Sequence, residues 1–173
     1  MKRLSVLVAV LALGVAACSK SSTSPSTSTP TNPTFTADLR PANEVPPITN
    51  SESSGSGSMT ITFIVTRDSA NNVTAATANF VGTFSGFPSG TTLTAAHIHP
   101  GAVGVNGSPL VSLALTQGQV SFPNGSGSLT VNSVSMTPEV AQQILNNPAG
   151  YYFNIHTALN PGGVARGQLT RVQ

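Results

Sequence analysis

Charge is what this sequence has least of. Seven basic and five acidic side chains make up 7% of 173 residues, against about a quarter in an ordinary globular chain. Lys2 and Arg3 supply the whole formal net charge of +2, and from Phe35 onward four arginines stand beside five carboxylates. No basic face is left to neutralise phosphates, which argues against nucleic acid as a partner. Cysteine is nearly as scarce. The single Cys18 excludes an intramolecular disulfide framework and a zinc ribbon. There is no tryptophan, no Gly-x-Ser-x-Gly elbow and no dense carboxylate pair, so the usual signatures of a serine hydrolase or a glycosidase are missing. The length suits one domain with a modest core and is too short for two. The composition as a whole argues against an enzyme.

What the chain does have begins at its N-terminus. Lys2 and Arg3 precede Leu4 to Val15, an apolar run with the length of a signal-peptide h-region, too short to span a bilayer. It ends in Val15-Ala16-Ala17-Cys18, which resembles the bacterial lipobox. That resemblance implies cleavage before Cys18 and acylation of its thiol, with several acyl chains holding the mature protein on a membrane. Residues 1–17 are therefore expected to be a lipoprotein signal peptide. Residues 18–34, the lipidated cysteine followed by a Ser/Thr/Pro-rich stretch, have almost no side chain suited to a core and read as a solvated tether. Export follows, with the protein anchored to the cell envelope by membrane lipid, at the outer membrane in a Gram-negative cell.

Residues 35–173 are expected to form one all-β domain. Met59, Ile61, Phe63 and Val65 alternate with Thr60, Thr62, Ile64 and Thr66, the period of a half-buried strand. Further strands are expected at 35–40, 73–82, 93–99, 110–115, 128–132, 151–157 and 164–171, separated by turns such as Asn71-Asn72, Pro88-Ser89-Gly90, Asn124-Gly125 and Pro161-Gly162-Gly163. That many short strands predict a Greek-key-like sandwich or small barrel. Pro46-Pro47 is expected to end an edge strand. Thr137-Pro138-Glu139 is an N-cap, a proline at the first helical position and an early carboxylate, and it predicts one short connecting helix that Asn146-Asn147-Pro148 stops.

All three histidines fall in two of these strands, His97 and His99 in TAAHIHPG and His156 in YYFNIHT. Alternate strand residues share a face, so if Ile98, Phe153 and Ile155 point into the core, the three imidazoles point outward. Three neutral imidazoles suit copper or zinc, with water or a carboxylate such as Glu44 or Asp38 as fourth ligand. The alternative is purely structural, the rings hydrogen-bonding neighbouring strands and the loop from Pro100 to Pro109. Glu44 and Arg166, isolated charges in a charge-poor domain, are expected to pair.

Three blocks, ANEVPP from Ala42, TAAHIHPGAVGVNG from Thr94 and FNIHTALNPGGVARGQL from Phe153, resemble the signatures of the CHRD domain, a family named for its occurrence in chordin. The resemblance implies an all-β extracellular domain without a settled biochemical activity. In that family the last block commonly carries a Glu-Ile pair where this chain has Val164 and Ala165. A more distant likeness to copper-zinc superoxide dismutase gives no support to redox catalysis, because three histidines do not build that enzyme's two metal sites.

The leading expectation is a membrane-anchored envelope protein whose non-catalytic CHRD-like domain binds a protein or glycan or contributes to surface architecture. The rival is a copper- or zinc-binding protein using His97, His99 and His156. The anchor makes a direct prediction. Cys18→Ser should leave an unlipidated precursor and shift the protein out of the membrane fraction on cell fractionation; unchanged partitioning would disprove the anchor.

Overall fold

The computed structural model describes residues 32–173; the proposed signal peptide, Cys18 and the tether as far as residue 31 lie outside the described residues. Ten strands, one α-helix and two short 3-10 turns follow in chain order. The first sheet holds β1 (Thr34–Leu39), β2 (Ser56–Arg67), β3 (Val73–Ser85), β7 (Gly127–Met136) and β10 (Thr170–Arg171), in the order β10-β1-β2-β3-β7. The second holds β4 (Thr91–Pro100), β5 (Val111–Leu113), β8 (Tyr151–Thr157) and β9 (Ala165–Gln168), in the order β5-β4-β8-β9, with β6 (Ser121–Phe122) paired to β4. All pairings are antiparallel. The two sheets face each other as a sandwich and do not close into a barrel.

Phenylalanine fills the space between them. All seven phenylalanines are buried. Phe80 of β3 meets Phe153 of β8 across the sandwich at 5.8 Å between ring centres, and Phe84 stacks on Phe122 at 5.2 Å. These rings explain why β2 starts earlier than its alternation suggests. A side chain at Gly57 would run into Phe84 of β3, and one at Gly55, just before the strand, into Phe87, so the missing side chains admit these rings and β2 begins in a Ser/Gly stretch ahead of Met59.

Other boundaries also differ from expectation, β3 running on to Ser85 and β6 being an additional short strand, and three of the differences have a visible cause. The first strand ends at Leu39, and Pro41 opens a 3-10 turn (Pro41–Asn43), so Pro46-Pro47 lies in the connection beyond it. β7 runs on to Met136 through a bulge at Ser133, whose positive φ is accommodated because Asn79 Oδ1 accepts its backbone N–H at 2.9 Å. The segment from 164 to 171 is two strands. It leaves the second sheet after Gln168 and joins the first at Thr170, pivoting on the buried Leu169, whose N–H donates to the Tyr151 carbonyl at 3.0 Å.

The helix α1 (Pro138–Asn146) forms as its cap predicts, with the Thr137 hydroxyl accepting from Val140 N–H, and it buries Ala141, Ile144 and Leu145. The core gives a direct test. Phe63→Ala or Phe153→Ala should cost about 3–5 kcal/mol in urea unfolding, and a loss below about 1 kcal/mol would mean that the ring is not a core element.

Candidate functional site

The pleat of the second sheet decides which side chains meet. Ala96, Ile98, Phe153, Ile155 and Ala165 turn inward and are fully buried. Their alternates, His97 and His99 on β4, Tyr152, Asn154 and His156 on β8, and Arg166 and Gln168 on β9, must therefore share the opposite face. The register sets them in rows: His97 beside Asn154 beside Arg166, then His99 beside Tyr152 beside Gln168, with His156 next to Ala95. An apolar inner surface thus produces a polar outer patch without any further instruction.

That outer face is largely closed to water. His99, Tyr152, His156, Asn154 and Arg166 are all buried, and His97 and Gln168 are half-buried. Three connections roof the patch, and the roof is tied down by hydrogen bonds to the patch itself. Nδ1 of His99 donates to the Gly107 carbonyl at 2.8 Å, and Nδ1 of His156 donates to the Pro161 carbonyl at 2.9 Å. Arg166 Nε donates to the Asn43 carbonyl at 2.6 Å and Nη1 to Asn106 Oδ1 at 2.8 Å, while Asn106 Nδ2 donates to the Val45 carbonyl at 3.0 Å. Glycine permits the closeness at two points. A Cβ at Gly107 would collide with the Pro100 carbonyl, and one at Gly163, whose φ is +130°, would lie 2.8 Å from both Glu44 Oε1 and Asn154 Nδ2.

The expected histidine cluster comes together. His97 Nδ1 lies 3.0 Å from His156 Nε2, and one ring nitrogen from each of the three histidines lies within 4.8 Å of the others. Burial, reinforced by the neighbouring His156 and His99 rings, pushes His97 down to about 4; burial also lowers His99 and His156, against the raising effect of the carbonyls at Gly107 and Pro161. Near neutral pH all three are uncharged.

Glu44 and Arg166 also meet, though loosely. Arg166 Nε stands 3.8 Å from Glu44 Oε2, farther than from its carbonyl partner, and Arg166 Nη2 and Glu44 Oε1 have no hydrogen-bond partner at all. Burial raises Glu44 to about 7, with Arg166 and the Asn154 amide drawing it back. Asp38 is elsewhere. It is exposed on β1 and paired with Arg40 at 3.1 Å, which removes it as a fourth ligand. Val164 is fully buried in the core, so the departure from the family block places an apolar group where the usual pattern has an acid.

Several site residues carry no signal of their own in the sequence. Tyr152 stacks on His99 at 4.9 Å between ring centres and lies 4.6 Å under the Arg166 guanidinium. Glu52 is buried and accepts from Thr157 Oγ1 at 2.6 Å and Asn160 Nδ2 at 2.5 Å, anchoring the loop that carries Pro161. Asn154 is different, since its alternation with His156 in FNIH already sets the two on one face; Glu52 sits in a serine-rich stretch that announces nothing.

The three blocks that resemble CHRD signatures are the ones that build this face and its roof. The CHRD domain family model matches residues 35–169. The chain belongs to the CHRD family. No curated protein and no solved structure matches it. Within this CHRD domain, Arg166 is the point where the blocks meet, contacting Asn43 from the first and Val105 and Asn106 from the second.

The opposed titrations give a pH prediction. Folded histidines held below their ordinary 6.5 take up fewer protons than unfolded ones, so their contribution to stability is constant above about pH 7 and is lost as pH falls below 6.5. Glu44, raised from 4.5 to about 7, acts in the other direction: its protonation favours the folded state at low pH, and that gain is lost as pH rises from 4.5 through 7. Glu44→Gln removes the offset. With chelator present, the variant should lose about 1–2 kcal/mol more than wild type between pH 7.5 and 5.5 in urea unfolding; parallel losses would show that Glu44 does not titrate there.

Proposed function

We propose that the protein is a lipid-anchored component of the bacterial cell envelope whose CHRD domain is a non-catalytic binding module, held away from the membrane by its Ser/Thr/Pro tether. Membership of the CHRD family suggests a non-catalytic domain, and the VAAC sequence supports the anchor. The observation that carries the binding role is the meeting of three distant blocks around one groove of about 330 Å³, walled by Asn43, Glu44, Val45, Val103 and Gln168, with Arg166 at its floor. Val45 and Val103 are exposed hydrophobics at its edge, Val103 at 82%. An apolar rim over a floor with a buried guanidinium and carboxylate suits an extended protein segment or a glycan, each of which offers an apolar surface and hydrogen-bonding groups together.

Site-specific photo-crosslinking in intact envelopes tests this. A crosslinker at Val103 should trap a defined adduct that one at Val81, exposed on the first sheet, does not, and Val45→Asp should abolish it. Identical patterns from both positions, or no adduct from Val103, would overturn the binding role.

A further inference from the structure

We infer that His97, His99 and His156 form a mononuclear site for a divalent zinc or copper ion. The argument starts from where the ring protons are. A neutral imidazole has one N–H and one bare nitrogen. The carbonyls of Gly107 and Pro161 accept hydrogen bonds and cannot donate them, so His99 and His156 both carry their proton on Nδ1. Both are therefore left with a bare Nε2. Fixing the tautomer through a backbone carbonyl on the far nitrogen is how metal-binding histidines are oriented.

The bare nitrogens are placed where a cation would satisfy them. Nε2 of His99 is buried and has no hydrogen-bond partner, a cost that native interiors rarely carry without a ligand or ion nearby. Nε2 of His156 is flanked by His97 Nδ1 at 3.0 Å and by the amide oxygen of Asn154 at 3.1 Å. With its proton on Nδ1, His156 meets that oxygen lone pair to lone pair. Only the His97 N–H relieves the contact. An ion would relieve it together with the orphaned His99 nitrogen.

Spacing agrees with this. Two nitrogens on a tetrahedral zinc at 2.0–2.1 Å stand about 3.3 Å apart, and this cluster runs from 3.0 Å up to no more than 4.8 Å. Closing the widest pair to that spacing takes up to about 1.5 Å of side-chain adjustment, and the half-buried His97 is the least enclosed of the three rings. Its proton count does not change on binding. The proton leaves Nδ1, which takes the metal, and one is taken up at Nε2. Three neutral nitrogens and no thiolate select a borderline first-row ion and reject magnesium and calcium, which take oxygen ligands. The site stands apart from the proposed groove partner and does not depend on it.

The test uses the detergent-solubilised full chain, titrated separately with zinc sulfate, copper sulfate and magnesium sulfate. Zinc or copper should raise the melting temperature and saturate at one equivalent, and magnesium should do neither. His97→Ala should weaken the affinity at least about tenfold, while Asp38→Asn, away from the site, should not. Ring ¹⁵N NMR keeps the test independent of variant folding: on addition of zinc, Nε2 of His99 and His156 should shift while both Nδ1 atoms stay protonated. No stabilisation by either metal, stabilisation that survives His97→Ala, or coordination through Nδ1 of His99 or His156 would overturn the site.

Discussion

A guanidinium cannot be buried in a small β sandwich unless other groups are brought to it, and in this chain the surroundings of Arg166 organise one whole side of the molecule. Its side chain is 3% exposed. Leaving such a charge without partners would cost several kcal/mol, so the chain wraps three separate segments around it. Two of its partners are backbone carbonyls, at Asn43 and Val105, which cannot be supplied by a substitution elsewhere and can be supplied only by loop shape. The residues from Pro41 to Pro47 and from Pro100 to Pro109 are therefore folded as they are largely to reach this cation. The Tyr152 ring covers its face and completes the enclosure.

The incomplete pairing of Glu44 follows from the same arrangement. Because the Asn43 carbonyl and the Asn106 amide oxygen take the short hydrogen bonds, the carboxylate is left at 3.8 Å, buried, with one oxygen unpartnered. A closer, bidentate pair would keep it firmly ionised. Here burial wins over the attraction to Arg166 and brings Glu44 to about 7, so the groove floor holds a fixed cation beside an acid that is neither firmly charged nor firmly neutral.

Much of this was legible before any coordinates. The alternation of Met59 to Val65 and of Ile98, Phe153 and Ile155 assigns the faces correctly, and with them the shared side of the three histidines. It does not reveal that this side is roofed. Burial on an outer face comes from loops, and loop position depends on contacts such as Asn106 to Val45 and Glu52 to Asn160 that join residues far apart in sequence and have no periodicity. The same holds for strand ends. Gly57 lengthens β2 because of a ring on β3, and Leu169 divides the last segment because the core requires it on the inside. Pairing the isolated charges puts Glu44 near Arg166, whereas Asp38, offered as a fourth metal ligand because it lies close in sequence, is exposed on β1 and paired with Arg40.

Tyr152 joins the two halves of the roofed face. One ring stacks on His99 with a 7° tilt and lies under Arg166, and its hydroxyl accepts from the Gly107 N–H at 3.3 Å. Gly107 in turn supplies the carbonyl that fixes the His99 tautomer. The bare Nε2 of His99 and the position of the guanidinium thus depend on the same loop and the same aromatic plane. A phenylalanine at this position would keep the stack and the cation-π contact but release the hydroxyl from Gly107, leaving the carbonyl that holds the His99 proton fixed only through its neighbour Asn106. The chemistry of the histidine cluster therefore rests less on the histidines, which the pleat delivers automatically, than on the loop from Pro100 to Pro109 being held in one conformation above them.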